Sequence, residues 1–175
     1  MKSISEIIQY ETGYKPQVLK RLHGGDINQV YLCINKKNQF VVKVNYSEKY
    51  PKMLEKEKKG LELLNKSSFI IPIVFSSGSL KQLDYLILEY IKPGKSINWK
   101  IFGENLASLH QITSQEFGLD YDNYIGSIEQ INSCDKNWFD FYANKRLILL
   151  MKLARIKNLL TNKDCNEIER ICNSL

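Results

Sequence analysis

The sequence lacks any apolar run near the ~20 residues that a membrane-spanning helix needs. It has only two histidines, His23 and His110, and its four cysteines form no CxxC pair. These absences argue against the common zinc-binding spacings and predict reduced thiols rather than a disulfide framework. Residues 1–6 hold no apolar core of the signal-peptide type, so we expect a cytoplasmic protein with no membrane partner.

The 175 residues carry a net charge of +6, a balance that can favour nucleic acid. The basic residues are scattered, however, and alternate with acids, as in residues 55–59 (EKEKK). Such alternation is typical of a solvated helix face, so no nucleic-acid partner is predicted. A mildly positive field would still attract an anionic ligand such as a nucleotide.

The first 92 residues have the pattern of a five-stranded antiparallel lobe with one inserted helix. A capping-box pattern at residues 3–6 (SISE) opens a short helix that ends near Gly13. Three β-type runs form a meander, and Pro51, at a first helical position, opens a helix that extends to about Lys66. Two further strands are predicted around a turn at Gly78. The five β-type runs are 18–22, 30–34, 40–45, 70–75 and 85–91.

Residues 93–175 change from strand patterns to helical ones and are expected to form an incomplete helical lobe. A long polar loop covers residues 115–137, and a loop of this length in a compact protein is usually functional or disordered. Its tyrosines and glycines favour an ordered, functional loop. The helices predicted here are 101–113, 138–160 and a last helix capped by Asn162.

Five strands, an inserted helix, a hinge and a helical lobe are the order of a protein-kinase-like α+β fold. Lys43 lies on the third strand, where the kinase lysine contacts the α- and β-phosphates of ATP and pairs with a helix glutamate. Glu57 on the inserted helix is the expected partner, because Glu55, two positions away, lies on another helix face. The alternative is a lysine that points to solvent from an edge strand.

Two backbone features complete the predicted nucleotide site. The turn Gly24-Gly25-Asp26 lies where kinase backbone amides cover the phosphates, and its glycines allow close approach. It is neither a Walker loop nor a complete GxGxxG, and an ordinary hairpin turn is the alternative. Adenine is expected to hydrogen-bond to main-chain groups of Glu89 and Ile91, although this segment also suits an ordinary buried strand.

Several blocks together resemble the fructosamine/ketosamine kinases, which are relatives of aminoglycoside phosphotransferases and choline kinases. The most specific block is residues 117–126 (FGLDYDNYIG), which continues through Gln130 and Asn132 to the segment from Trp138 to Leu147. General kinases lack both features. The other blocks are 24–28 (GGDIN), 42–45 (VKVN), 57–61 (EKKGL) and 106–110 (LASLH).

The resemblance implies phosphorylation of a sugar hydroxyl on ketosamines, the products of amine glycation, with ATP and Mg²⁺ as cofactors. The expected substrates are ketosamine-modified amines or proteins, which the reaction deglycates. By position, Asn123, Tyr124 and Gly126 would shape the sugar side of the cleft. Trp138 and Phe141 stand at helical spacing and are interpreted as packed core residues rather than a substrate platform.

The family's catalytic His-Gly-Asp motif and its later metal-binding Asp do not occur in these 175 residues. We expect them beyond residue 175, so no catalytic or metal-binding residue is assigned within the chain, and negligible turnover is expected from it alone. The alternative, from another functional class, is a non-catalytic nucleotide-binding module similar to a pseudokinase. Asp26 stands where many family members have a cysteine, so no redox switch is expected at that position.

Overall fold

The computed structural model describes residues 2–23, 27–35 and 38–174. The chain forms two compact units, residues 1–112 and 113–175. The described helices are α1 (Lys2–Thr12), α2 (Met53–Leu64), α3 (Trp99–His110), α4 (Trp138–Tyr142), α5 (Leu149–Ile156) and α6 (Asn162–Cys172). The described strands are β1 (Val18–Leu22), β2 (Gln29–Asn35), β3 (Asn38–Tyr46), β4 (Val74–Leu80), β5 (Leu83–Glu89), β6 (Asn123–Ile125) and β7 (Ile128–Gln130).

The first unit is built on one antiparallel sheet with the strand order β1-β2-β3-β5-β4. Successive side chains of a strand point to opposite faces, so each face can carry its own core. One core joins α1 to the sheet through Ile7 and Val42, and the other joins α2 to it through Leu54 and Leu86. The α+β fold, the five strands and the inserted helix are therefore as predicted.

Helix starts differ from the predictions in the first unit. α1 already includes Ser3, so the predicted capping box at residues 3–6 is wrong. Pro51 lies in the turn before α2, and Lys52 precedes the helix with a left-handed φ of 56°. The end predicted near Gly13 is confirmed, since the Gly13 N–H still donates to the Gln9 carbonyl at 2.9 Å.

Gly78 lies inside β4, and the turn predicted there falls instead at residues 81–82. The reason is its cross-strand neighbour Tyr85, whose ring lies over the glycine. A Cβ on Gly78 would lie 2.6 Å from the Tyr85 hydroxyl oxygen. That hydroxyl donates to the Glu11 carboxylate, which ties the end of α1 to the sheet.

Alanine substitutions at two glycines are expected to change stability in opposite directions. Gly78→Ala should lower the free energy of unfolding by about 1–3 kcal/mol, because the Tyr85 ring must move from its packed position. Gly60→Ala, in the middle of α2 with nothing within 4 Å of its added methyl, should raise it by about 0.5–1 kcal/mol. Urea denaturation of the two variants measures both changes, and an equal effect at the two sites would contradict the packing argument.

The second unit contains the predicted ordered loop. The strands β6 and β7 form a hairpin inside it, and reciprocal backbone hydrogen bonds between Phe117 and Asp135 close its base at 2.8 and 2.9 Å. The helical stretch that follows runs through α4, a π-helical segment (Ala143–Ile148) and α5.

The last helix, α6, begins at Asn162, but its cap is Thr161 rather than the predicted Asn162. Thr161 and Asp164 form a capping box in which each side chain accepts a backbone N–H of the other. No helix in the part of the chain that the structure describes is long and apolar enough to cross a membrane.

Candidate functional site

Lys43 and Glu57 form an ion pair in the first unit. Lys43 lies on β3, and its Nζ donates to the Glu57 Oε1 of α2 at 2.6 Å. The two side chains are 22% and 29% exposed, so the pair is partly shielded from water. The predicted pairing is present, and the alternative of an edge-strand lysine is wrong because β3 lies between β2 and β5.

The alternation of β3 explains why Lys43 reaches α2. Val42 is buried in the core beneath α1, whereas Val41 packs in the core beneath α2. Lys43 has the same parity as Val41 and therefore points to the α2 side of the sheet. Glu55, the competitor for the pairing, lies instead 3.8 Å from Lys59 on the exposed face of α2.

The ammonium group of Lys43 has more donors than Glu57 uses. A lysine carries three N–H donors, and the ion pair occupies one of them. The carboxylate thus holds the charge in place without consuming its capacity to bind an anion. Such an arrangement is chemically suited to phosphate oxygens.

The turn Gly24-Gly25-Asp26 lies outside the residues that the structure describes. Asn28, two residues after this turn, makes a contact that the sequence did not predict. Asn45 is buried on β3, and its Nδ2 donates to Asn28 Oδ1 at 3.0 Å. Asn45 is two residues beyond Lys43, so both side chains lie on the same face of β3.

The end of β5 carries the predicted adenine contacts, Glu89 and Ile91. The Glu89 N–H donates to the Ile73 carbonyl at 2.8 Å, and the Glu89 carboxylate accepts from the Ile73 N–H at 3.2 Å. The Glu89 N–H is therefore already used. A purine edge would have to use the Glu89 carbonyl and the Ile91 N–H.

Asn123, Tyr124 and Gly126 lie together on the β6–β7 hairpin of the second unit. Asn123 Oδ1 accepts from Asn132 Nδ2 at 2.9 Å, and the Asn123 amide group also carries two N–H donors. Tyr124 is half-buried on β6. Gly126 has a φ of 61°, which identifies it as a residue of the hairpin turn.

Asn132 is the centre of a hydrogen-bond network that sequence reasoning missed. Its side chain is 2% exposed and donates to the Tyr121 carbonyl at 3.1 Å as well as to Asn123. Its backbone N–H donates to Asp122 Oδ1 at 2.7 Å. Arg146 donates to Asn132 Oδ1 at 2.6 Å and to the Ile131 carbonyl at 2.7 Å.

Arg146 lies on the π-helical segment, and such segments often occur at functional sites. Its guanidinium lies 4.6 Å from the centre of the Phe141 ring. Burial lowers the pKa of Arg146 from its usual value. Asn132 and Arg146 both belong to the blocks that resemble the family, but nothing in their spacing indicated that they touch.

The interpretation of Trp138 and Phe141 as core residues is confirmed for Phe141 only. Phe141 is buried, whereas Trp138 is 46% exposed. The tryptophan ring stacks on Tyr142 with centroids 5.2 Å apart and also contacts Phe117 and Phe141, yet nearly half of the residue stays exposed.

The described residues contain no group of three or more His, Cys, Asp or Glu side chains that would hold a metal ion. A Mg²⁺ site needs several oxygen ligands, including carboxylates or phosphate oxygens.

Comparison with known proteins identifies relatives along the whole chain. The model of the fructosamine kinase family matches residues 1–175. A probable ketoamine kinase of Synechocystis sp. is 34% identical over 160 residues, which are 88% of this chain and 54% of that protein. The chloroplastic protein-ribulosamine 3-kinase of Arabidopsis thaliana is 39% identical over 137 residues, 75% of this chain and 42% of that protein.

Solved structures agree with these matches. A protein from Haemophilus somnus that is assigned to the fructosamine-3-kinases superposes with a TM-score of 0.85 at 27% identity. The superposition covers 99% of this chain and 61% of that protein's chain. The aminoglycoside phosphotransferase APH(4)-Ia, solved with AMP-PNP and hygromycin B, has a TM-score of 0.61 at 14% identity, which shows the fold alone. The chain spans about half the length of the curated relatives cited here.

Proposed function

The chain belongs to the fructosamine kinase family, and on that basis we propose that it binds ATP for the phosphorylation of a sugar hydroxyl on ketosamines. The observation that carries the proposal is the 2.6 Å ion pair between Lys43 and Glu57. In this role Lys43 holds the α- and β-phosphates, and Glu57 keeps the lysine extended towards them.

The adenine ring is proposed to lie at the end of β5. The Glu89 carbonyl would accept a hydrogen bond from the exocyclic amino group, and the Ile91 N–H would donate to a ring nitrogen. The two residues are two positions apart, which suits the adjacent donor and acceptor of the adenine edge. The contacts between Glu89 and Ile73 support this proposal, because they hold the strand end in one position.

The turn Gly24-Gly25-Asp26 is proposed to cover the phosphates with its backbone amides. The hydrogen bond between Asn28 and Asn45 supports this role, since it ties the residues after the turn to the strand that carries Lys43. Positioned N–H groups stabilise phosphate oxygens without any rearrangement during the reaction.

The second unit is proposed to contribute the ketosamine contacts. Asn123 would offer its amide N–H groups and Tyr124 its ring, while Gly126 lets the hairpin turn. The Arabidopsis relative is named for ribulosamine and the family for fructosamine, so both ketosamines are candidates for this chain. We also propose that residues 1–92 and 93–175 form the two lobes and that the protein is cytoplasmic.

Phosphoryl transfer moves the γ-phosphoryl group of ATP to the hydroxyl oxygen, and Mg²⁺ neutralises the charge that develops on the phosphates. We propose that the Mg²⁺ ligands and the carboxylate that orients the hydroxyl belong to the part of the family's length that this chain does not span. The second candidate is a non-catalytic nucleotide-binding module, for which the ion pair between Lys43 and Glu57 would suffice.

An ADP-release assay tests the proposal. The chain is incubated with ATP and either fructose- or ribulose-modified lysine, beside a form that spans the whole length of the family. We expect turnover of the ketosamines only by the longer form. Turnover by the 175 residues alone would contradict the proposal that the catalytic groups lie elsewhere. If only choline or aminoglycosides were phosphorylated, the proposed substrate class would be wrong.

A further inference from the structure

Four aromatic side chains of the second unit are exposed together. They come from the start of the loop and from α4, and we call them the aromatic face: Phe117, Trp138, Phe139 and Tyr142. Exposed aromatic rings that also contact one another mark binding surfaces more often than single exposed residues do.

Ring contacts hold the aromatic face in a defined arrangement. Trp138 and Tyr142 are one helical turn apart and stack at 5.2 Å, with their planes 26° apart. Phe117 lies 5.4 Å from Trp138 and is anchored by its backbone hydrogen bonds to Asp135. Buried Phe141 packs 6.2 Å from Trp138 and supports it from the core side.

The loop that leads into α4 is acidic up to residue 135 in an otherwise basic chain, and Lys136 follows it. Residues 113–135 contain five acidic residues and no lysine or arginine, whereas the whole chain has a net charge of +6. Glu116 adjoins Phe117, and Asp140 lies on α4 between Phe139 and Tyr142. Aromatic rings bordered by carboxylates select an organic cation over a neutral or anionic group.

We propose that the aromatic face binds the protonated secondary amine of a ketosamine, with the ammonium group over the ring of Trp138. The sugar would then extend from this amine towards the β6–β7 hairpin, which carries Asn123 and Tyr124. This inference rests on the proposed function for the substrate class and adds the group that recognises its charge. A ketosamine nitrogen is an alkylamine, so it carries a proton near neutral pH.

The two tryptophans of the chain make the inference directly measurable. Trp99 lies on α3 of the first unit and is 70% exposed. Because the chain has two tryptophans, Trp99→Phe leaves Trp138 as the only tryptophan fluorophore. Titration of this variant with fructosyl-lysine should change its tryptophan emission. Trp138→Phe, which retains Trp99 as the matched control, should show no change.

The role of the positive charge is tested by a second substitution and by ligands that differ in charge. Trp138→Leu should weaken the binding of fructosyl-lysine, measured by calorimetry, about five- to tenfold. Fructose and an amide-linked, uncharged analogue should bind equally to Trp138→Leu and to the parent chain. Circular dichroism of each variant confirms that it is folded.

Three outcomes overturn the inference: an unchanged Trp138 emission, equal binding by Trp138→Leu, or an equal effect on the neutral analogue. Emission that changes with protein concentration alone would show instead that a second copy covers the aromatic face. An ATP analogue is titrated into the same samples. If the ATP analogue binds but the Trp138 experiments give any of these three outcomes, this inference is wrong and the proposed nucleotide site remains.

Discussion

Replacing Lys43 by methionine is expected to lower the affinity of the chain for an ATP analogue about 10- to 100-fold, the effect of losing hydrogen bonds to a charged group. Methionine keeps the length of the side chain and removes only the ammonium group. Because Lys43 and Glu57 are partly exposed, the loss of the ion pair itself should cost the fold little. A fluorescent ATP analogue measures the affinity, and thermal melting measures the fold.

Matched substitutions separate this site from general charge effects. Lys20→Met removes an exposed lysine of β1 in the same sheet and should leave nucleotide affinity unchanged. Glu57→Gln should weaken binding, whereas Glu55→Gln, two positions away, should not. If Lys43→Met and Lys20→Met behaved alike, Lys43 would not belong to the nucleotide site.

Replacing Asn132 by alanine is expected to lower the free energy of unfolding of the second unit by about 2–5 kcal/mol, within the range for breaking a buried polar network. The side chain is 2% exposed, so its partners have no water to replace it. The Tyr121 carbonyl, Asn123 Oδ1 and the Arg146 guanidinium would each lose a hydrogen bond. Urea denaturation followed by circular dichroism measures the loss.

Asn144→Ala is the control for this prediction, because Asn144 is exposed on the π-helical segment. Its stability should stay within about 0.5 kcal/mol of the parent chain, as for most surface substitutions. Arg146→Lys keeps the charge but cannot make both hydrogen bonds of the guanidinium group. Its free energy of unfolding should therefore lie between those of the Asn132→Ala and Asn144→Ala variants. Equal stability of the Asn132 and Asn144 variants would show that the network contributes nothing.

The network also bears on the proposed function. Asn132 and Arg146 hold Asn123 from behind, so they act as positioning residues for the hairpin rather than as ligand contacts. A glycine is required beside them, because a Cβ on Gly118 would collide with the Asn132 carbonyl. These contacts hold the hairpin in place, so it would present Asn123 and Tyr124 in a defined position to the proposed ketosamine.

Element boundaries show where local patterns stop being informative. Val18–Leu22 was predicted with its observed bounds, since a short run rich in apolar residues and bounded by turn residues is a local signal. β4 begins at Val74 rather than at residue 70, and Gly78 lies within it. The glycine suggested a turn, but its place is set by Tyr85 on the neighbouring strand, which no local pattern reveals.

Some contacts of the candidate sites could be predicted from the sequence, and others could not. The pairing of Lys43 with Glu57 was predictable because the order of strands and helix matches a kinase lobe, in which a lysine of the third strand pairs with a glutamate of the following helix. The Asn28–Asn45 and Asn132–Arg146 contacts were not predictable, since no local pattern indicates which polar side chains of different elements meet. The exposure of Trp138 was missed because helical spacing alone does not show which face of a helix is covered.

By itself, the sequence determined the α+β class, the strand and helix order, the family resemblance and the residues of the Lys43–Glu57 pair. Each follows from patterns within a short stretch of chain or from the order of such stretches. Only the tertiary structure decided which polar side chains meet, which glycine lies beneath a ring and which aromatics face solvent. Those outcomes depend on packing between distant segments, where shape and desolvation rather than local periodicity select the contact.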